Sequence, residues 1–297
     1  MTSMQRILTA NIMLGFAALG CSPTNHEPIA SAEESLPWTL VDDFETASMS
    51  QSGLTAEGWR HVDVQNETKP FVPNPQIAEV RFDADTDNHF LLKKPAADGI
   101  VGNRKALGFK ALPHAIAVGE TYTVYTRINV EYFPNNHSFG LSNLTEAEIL
   151  AQSYDAFEPM IRVTDKAESD GSRNDGTITV LSGYKTYSKI LNPNTGEAAK
   201  PLKPGTWYEL WSVVNNAPQE IGGQTYDLYV RGGEFPSQRR VYSGAVFRMS
   251  REAPLKFFMT ISNTGPHDSP YGNGGVRYDD IYMVSGENLS SPIKAHD

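Results

Sequence analysis

Cysteine is almost missing from these 297 residues: Cys21 stands alone, which excludes an intrachain disulfide. Long apolar runs are missing too. The longest, residues 7–19, falls short of the roughly 20 residues a helix needs to cross a bilayer. Positive charge is in deficit, with 25 Lys+Arg against 35 Asp+Glu and a net charge of −10. That balance argues against a nucleic-acid partner, because neutralising phosphates takes clustered Lys and Arg. There is no H-E-x-x-H for zinc chemistry and no G-x-S-x-G nucleophile elbow. The E-x-D-x-x-E spacing that sets two carboxylates on one strand face for glycoside hydrolysis is also missing. No glycine-rich loop leads into a helix, so neither a nucleotide nor an organic cofactor is expected.

The chain begins with one charge, Arg6, then the apolar stretch, then Gly20-Cys21. This is the layout of a secretory signal with a small-residue cleavage site. Ala18-Leu-Gly-Cys21 resembles the lipobox of bacterial lipoproteins, although leucine is commoner at the first of its four positions. The resemblance implies that Cys21 is lipidated and becomes the first mature residue, so that membrane attachment rests on the lipid alone. Ser22, rather than Asp, then favours the outer membrane or cell surface over inner-membrane retention. The expected organisation is a signal peptide (1–20), a polar, acidic, proline-containing tether (21–37), one domain (38–285) and a loose tail (286–297).

Within the domain the dominant pattern is alternation. In 121–132, Tyr122, Val124, Ile128 and Val130 fall on one face, and Tyr125, Arg127, Asn129 and Glu131 on the other. Similar runs cover 157–164, 177–190, 207–216, 226–231, 241–248, 255–263 and 276–284, separated by Gly, Pro, Asn and Asp clusters. Helical signals are confined to 144–152, where Thr145 and Glu148 have capping-box spacing. These observations predict an all-β fold, a sandwich or a barrel, with at most one or two short helices.

Four segments sharpen that expectation. Gly205-Thr-Trp-Tyr-Glu-Leu-Trp-Ser-Val-Val-Asn-Asn216 and Tyr226-Asp-Leu-Tyr-Val-Arg-Gly-Gly233 resemble a strand pair of concanavalin A-like and laminin-G-like jelly rolls. Val41-Asp-Asp-Phe-Glu45 and Arg277-Tyr-Asp-Asp-Ile-Tyr-Met283 resemble the two ends of many carbohydrate-binding jelly rolls. The resemblance implies an antiparallel two-sheet β-sandwich, the jelly roll, which hosts lectins, glycosidases, lyases and adhesion modules, so it does not by itself name a chemistry.

Three groups of residues are candidates for a site. Asp43 and Glu45 on the first strand and Asp280 on the last offer the hard oxygens that suit Ca²⁺, which would be structural in related modules; solvated strand-end acids are the alternative. Tyr125, Arg127, Arg162, Lys185, Tyr187, Lys189, Tyr229 and Arg231 all fall opposite the apolar set of their strands. If those strands share one sheet, they form a basic, aromatic groove for an anionic polysaccharide; if not, they are a solvated face. The glycine-rich loop 261–275 adds Asn263, His267, Asp268 and Tyr271 as a possible rim.

The domain also has a generic similarity to jelly-roll polysaccharide lyases. That implies β-elimination at a uronate, with Arg162 and Asn136 neutralising the carboxylate, His137 taking the C5 proton and Tyr187 serving as the acid. The R-x-E-L-R, Q-I-H and Y-x-K-x-G motifs of alginate lyases are absent, and Tyr184-Lys-Thr-Tyr-Ser-Lys189 only echoes the last. The expected function is non-catalytic recognition of an extracellular, anionic polysaccharide. A uronate lyase and a structural envelope protein are the alternatives.

Overall fold

A computed structural model describes residues 37–46, 50–85, 87–168 and 171–293. The expected signal peptide, Cys21 and most of the expected tether lie outside the described residues. Alternating strands bury their apolar sides only by packing sheet on sheet, and two antiparallel sheets form here. The first runs β13 (Phe235–Val246), β12 (Thr225–Gly232), β11 (Trp207–Asn215), β6 (Thr121–Val130), β15 (Val276–Ser285), β4 (Asn88–Lys94) and β3 (Ile77–Asp83), with β1 (Thr39–Asp42) also paired to β15. The second runs β10 (Thr186–Lys189), β9 (Thr179–Gly183), β8 (Phe157–Thr164), β7 (Asn136–Ser142), β14 (Leu255–Ser262), β5 (Val101–Ile116) and β2 (Arg60–Lys69).

The core between the sheets is built by the expected inward sets. Val124, Ile128 and Val130 of β6 meet Leu210 and Val214 of β11, and Phe139 and Leu141 of β7 close from the other sheet. Each such side chain contributes about 1.5–3 kcal/mol on full burial. The paired strands expected from 205–216 and 226–233 are β11 and β12, with Trp211 opposite Tyr229.

A second apolar cluster covers part of the outer face of the second sheet. Helix α2 (Glu146–Gln152) and the tight turn Ser153–Ala156 lay Ile149 and Ala156 over Leu107, Met160, Leu181 and Ile261. The helix starts where its sequence says: Thr145 caps it and Glu148 bonds back to the Thr145 amide, an arrangement contributing about 1 kcal/mol. A second short helix, α1 (Gln51–Ala56), buries Leu54.

Three expectations need correcting. The run 177–190 is two strands, because the chain reverses at Lys185, which adopts φ 53°. The long pairing of β2 with β5 was not legible from alternation, since β5 buries Ala106, Leu107, Gly108 and Phe109 in succession. The start of the tail is tied down rather than loose: Gly286 donates to the Thr121 carbonyl (2.8 Å), Asn288 N to Thr123 Oγ1 (2.9 Å) and Trp211 Nε1 to the Ser290 carbonyl (2.9 Å).

Candidate functional site

The expected groove divides between two faces that point away from each other. Tyr125, Arg127, Tyr229 and Arg231 stand on the outer face of the first sheet, because the inward residues of β6 and β12 are Val124, Ile128, Leu228 and Val230. Arg162, Tyr187 and Lys189 stand on the outer face of the second, where Arg162 pairs across to Thr179 and Thr179 to Lys189. Lys185 sits in the β9–β10 turn, 3.2 Å from Asp155. No single groove holds all eight.

On the first sheet these groups bond to carboxylates. Arg231 Nε donates to Glu209 Oε1 (2.7 Å), and the Tyr125 hydroxyl to Glu209 Oε2 (3.1 Å). Arg127 bridges Asp279 (2.5 Å) and Asp280 (2.6 Å). Burial and the adjacent Asp280 push the Asp279 carboxyl up to about 8, against the opposing pull of Arg127. Trp38 and Trp211 pack edge-on against Tyr125, whose side chain is fully buried. The acids proposed for calcium are bound as well. Glu45 accepts from the His89 amide (2.7 Å) and meets its Nδ1 (2.8 Å), Asp43 accepts from the Glu45 amide (3.3 Å), and Asp280 is held by Arg127. Among the described residues no three His, Cys, Asp or Glu side chains are grouped to hold a metal ion, and the residues present do not fit a calcium cage.

The second sheet carries an open cavity of about 230 Å³ on its outer face, beside the patch that α2 covers. Strand alternation supplies Asn136 from β7 and Met160 and Arg162 from β8; Tyr187 comes from β10. The turn after α2 adds Tyr154, the segment after β8 adds Lys166 and Glu168, and the long loop adds Asn263 and Tyr271. Gly265 makes room for the last: at φ 78° it lies so close to Tyr271 that a Cβ there would be 2.7 Å from the ring.

Arg162 is the centre of this cavity. Its guanidinium carbon lies 3.9 Å from the Tyr187 ring centroid, and its Nη2 donates to Glu168 Oε1 (2.6 Å). Its Nη1 is buried without a partner, as are Ser138 Oγ and Thr179 Oγ1 on the strands either side. Burial raises the Glu168 carboxyl, but Arg162, Lys166 and Asn174 outweigh it and hold the group at about 2. Tyr187 is gripped at its other end, where Arg248 Nη1 donates to the phenol oxygen and Arg248 is itself fixed by Asp155 (2.9 Å). Tyr154 meets Asn136 (3.4 Å) and has its phenol pushed up by burial. Cation, rings and amides thus converge on one space.

His137 does not join them. One residue beyond Asn136 on a strand, it faces the opposite way, fully buried, with Nε2 bonded to the Gly274 carbonyl (2.9 Å). Burial depresses its ring to about 3, so the imidazole is neutral and out of reach of anything in the cavity. His267 is exposed and pairs with its neighbour Asp268 (2.9 Å). Of the expected lyase set, Asn136, Arg162 and Tyr187 share the cavity; of the loop set, Asn263 and Tyr271 do. Sequence reasoning missed Tyr154, Lys166, Glu168 and Arg248. Only Tyr154 had a local signal, in the turn that follows a capped helix.

No family model matches the chain, and no curated protein does. Solved structures do. A marine PL-14 alginate lyase from Aplysia kurodai superposes with a TM-score of 0.50 at 11% identity, over 84% of this chain and 100% of the lyase chain. The catalytic domain of a GH131 β-glucanase from Podospora anserina gives 0.43 at 11% identity, over 86% and 88%. The carbohydrate recognition domain of Emp46p, in its potassium-bound form, gives 0.42 at 11%, over 84% and 100%. The fold is a concanavalin A-like jelly roll. At these identities the likeness speaks to architecture alone, and the chemistry of this jelly roll has to be argued from its own cavity.

Proposed function

We propose that this protein is an exported lipoprotein, anchored through Cys21 at the outer membrane or cell surface, whose jelly roll captures an acidic polysaccharide in the cavity around Arg162. The observation that carries the reading is Arg162: a buried cation at the floor of a tyrosine-walled space, with one terminal nitrogen still without a partner. A guanidinium in that state is ready to grip a carboxylate or sulfate. The rings of Tyr154, Tyr187 and Tyr271 offer faces to sugar rings, and Asn136 and Asn263 offer amides to hydroxyls. The lipobox-like Ala18-Leu-Gly-Cys21 supports the anchor, and among the described residues no helix is long and apolar enough to cross a membrane.

Capture is favoured over cleavage because elimination needs a base at the C5 proton. His137 is walled off, Lys166 is paired with Glu168, and burial makes Tyr154 harder to ionise. One observation favours the second reading: Asn136, Arg162 and Tyr187 do share the cavity. In that case Arg162 and Asn136 would neutralise the uronate, and Tyr187 would take the C5 proton and pass it to the leaving oxygen.

Affinity electrophoresis against alginate and a neutral glucan, with ultraviolet absorbance of unsaturated sugars followed in parallel, separates the readings. Retardation by alginate alone, without absorbance, is the expected result. Rising absorbance would make the protein a lyase, and neither signal would leave a structural envelope protein.

A further inference from the structure

One end of the space between the sheets is polar. His61 of β2, Lys93 of β4 and His137 of β7 turn inward there, beside Thr260 and Ser262 of β14. Lys93 reaches from the first sheet to the second. Its Nζ donates to Gln76 Oε1 and to the Leu107 carbonyl (3.4 Å), and among the described residues it is fully buried without an ion pair. The His61 ring stacks on Trp59 (5.6 Å between centroids), and both its nitrogens are buried without a partner. His137 gives its Nε2 to the Gly274 carbonyl (2.9 Å), and its Nδ1 is likewise buried and unpartnered.

Three bases thus share this interior with one carboxylate, Asp63 of β2, which is itself engaged by Asn103 Nδ2 (2.8 Å). β15 adds only the Tyr278 phenol, raised by burial, and β14 only hydroxyls. Lys94 is tied to Asp98 (3.1 Å) and Glu131 (3.2 Å). Burial, reinforced by Lys93, keeps both imidazoles neutral: His137 falls to about 3 and His61 well below the ordinary 6.5. Burial also brings Lys93 down to about 7, against the pull of Asp63.

The loop 263–275 is fastened at this end. At its start Ser262 pairs with His137, and Asn263 N donates to the Asn136 carbonyl (3.1 Å). At its finish Gly274 is held by His137 and by the Pro134 carbonyl (3.1 Å), and Val276, opposite Lys93, follows. Thr264 N also bonds the Asn103 carbonyl (3.1 Å), so losing one side-chain bond leaves the loop in place, whereas charging the interior works against every fastening at once. The same loop delivers Asn263 and Tyr271 to the Arg162 cavity.

We infer that this interior is an acid-sensitive latch: neutral His61 and His137 keep the loop 263–275 fastened, and their protonation detaches it, withdrawing Asn263 and Tyr271 and releasing the polysaccharide. The release rests on the saccharide reading of the Arg162 cavity; the latch does not. Each ring is neutral when the loop is closed and titrates near 6.5 once water reaches it, so opening grows by about tenfold per ring for each pH unit below 6.5. Lys93 acts above that window, between about 7 and its ordinary 10.5. Glu168, held at about 2, stays charged throughout.

The test is hydrogen–deuterium exchange of the full chain carrying Cys21→Ser at pH 7.5 and 5.0, corrected for intrinsic rates, with alginate affinity measured at both. Protection in 263–275 should fall by about thirtyfold per ring while β11 and β12 keep theirs, and alginate affinity should drop about tenfold or more. His61→Gln with His137→Gln should abolish most of both changes, since glutamine can still donate to Gly274 but does not titrate. If the double variant fails to fold, His137→Gln alone should halve the fall in protection on a logarithmic scale. Loop protection independent of pH, a loss shared equally by β11 and β12, or a fall that persists in the double variant would overturn the latch. A loop that opens while alginate affinity holds would overturn the release. No alginate binding at either pH would overturn the saccharide reading and the release with it, and exchange would still decide the latch.

Discussion

On the outer face of the first sheet, Arg127 and Arg231 end on carboxylates and Tyr125 is shut beneath Trp38 and Trp211. On the outer face of the second, Arg162 also meets a carboxylate, yet keeps one nitrogen unpartnered beside an open, tyrosine-lined space. Both faces use Arg and Tyr at outward positions of alternating strands. What differs is the surroundings. The first face has its acids, Glu209, Asp279 and Asp280, on neighbouring strands of the same sheet, and the segment after β15 crosses it. The second receives its acid, Glu168, from a loop, and its cover, α2, stops short of Arg162. Residue type therefore does not distinguish a sealed, structural face from a site. Spare hydrogen-bonding capacity next to open volume does.

That contrast can be broken most forcefully at Arg127. Arg127→Met leaves Asp279 and Asp280 buried without their cation and should destabilise the fold by about 3–5 kcal/mol, measured by urea unfolding, with retention on alginate unaltered near the surviving Tm. Arg162→Ala should do the reverse, weakening alginate binding by about a hundredfold in affinity electrophoresis while lowering Tm less, since Glu168 keeps Lys166 and Asn174. If Arg127→Met abolished binding and Arg162→Ala did not, the assignment of the two faces would be inverted. His137→Ala should cost about 1–3 kcal/mol of stability, because the Gly274 carbonyl loses its buried donor, and should leave polysaccharide retention as it was.

The faces also differ in the sign of their pH dependence. Glu168 is held at about 2, below its ordinary 4.5, so the native state binds fewer protons than the unfolded chain. Its stabilisation is full above about pH 4.5 and lost as pH falls towards 2, and the stability gap between wild type and Glu168→Gln, about 1–2 kcal/mol, should close over that window. Asp279 is raised to about 8, so its contribution is full at low pH and lost as pH rises through about 8; Asp279→Asn should gain on wild type in that direction. Denaturant unfolding at a series of pH values reads both. Smallest is Tyr187→Phe, which keeps the ring over Arg162 and should change alginate affinity by about threefold or less; a large loss of elimination instead would mark catalysis.

Much of the architecture was legible because strand alternation is local. Val124, Ile128 and Val130 declare their inward face within one strand, and Thr145 with Glu148 declares a helix start within four residues. The site was only half legible. Asn136, Arg162 and Tyr187 were named for the right chemistry, but adjacent His137 was named with them, although neighbours on a strand point to opposite sides. Lys166, Glu168 and Arg248 had no local signal, since each reaches the site from outside the strands that carry Arg162 and Tyr187.

The sequence by itself determined which residues of strands such as β6 and β12 face inward, where the capped helix begins, and that the fold is all-β, because these follow from side-chain periodicity over a few residues; the jelly roll was implied by the resemblance of the β11 and β12 segments. Only the tertiary structure decided that β6 and β12 lie in one sheet and β8 and β10 in the other. Strand order is set by hydrogen bonds between segments far apart in the chain, as between β6 and β15, and nothing in the period of a single strand records its partner. That order separated Arg127 and Arg231 from Arg162, tied the first pair to carboxylates, and left the third beside open space.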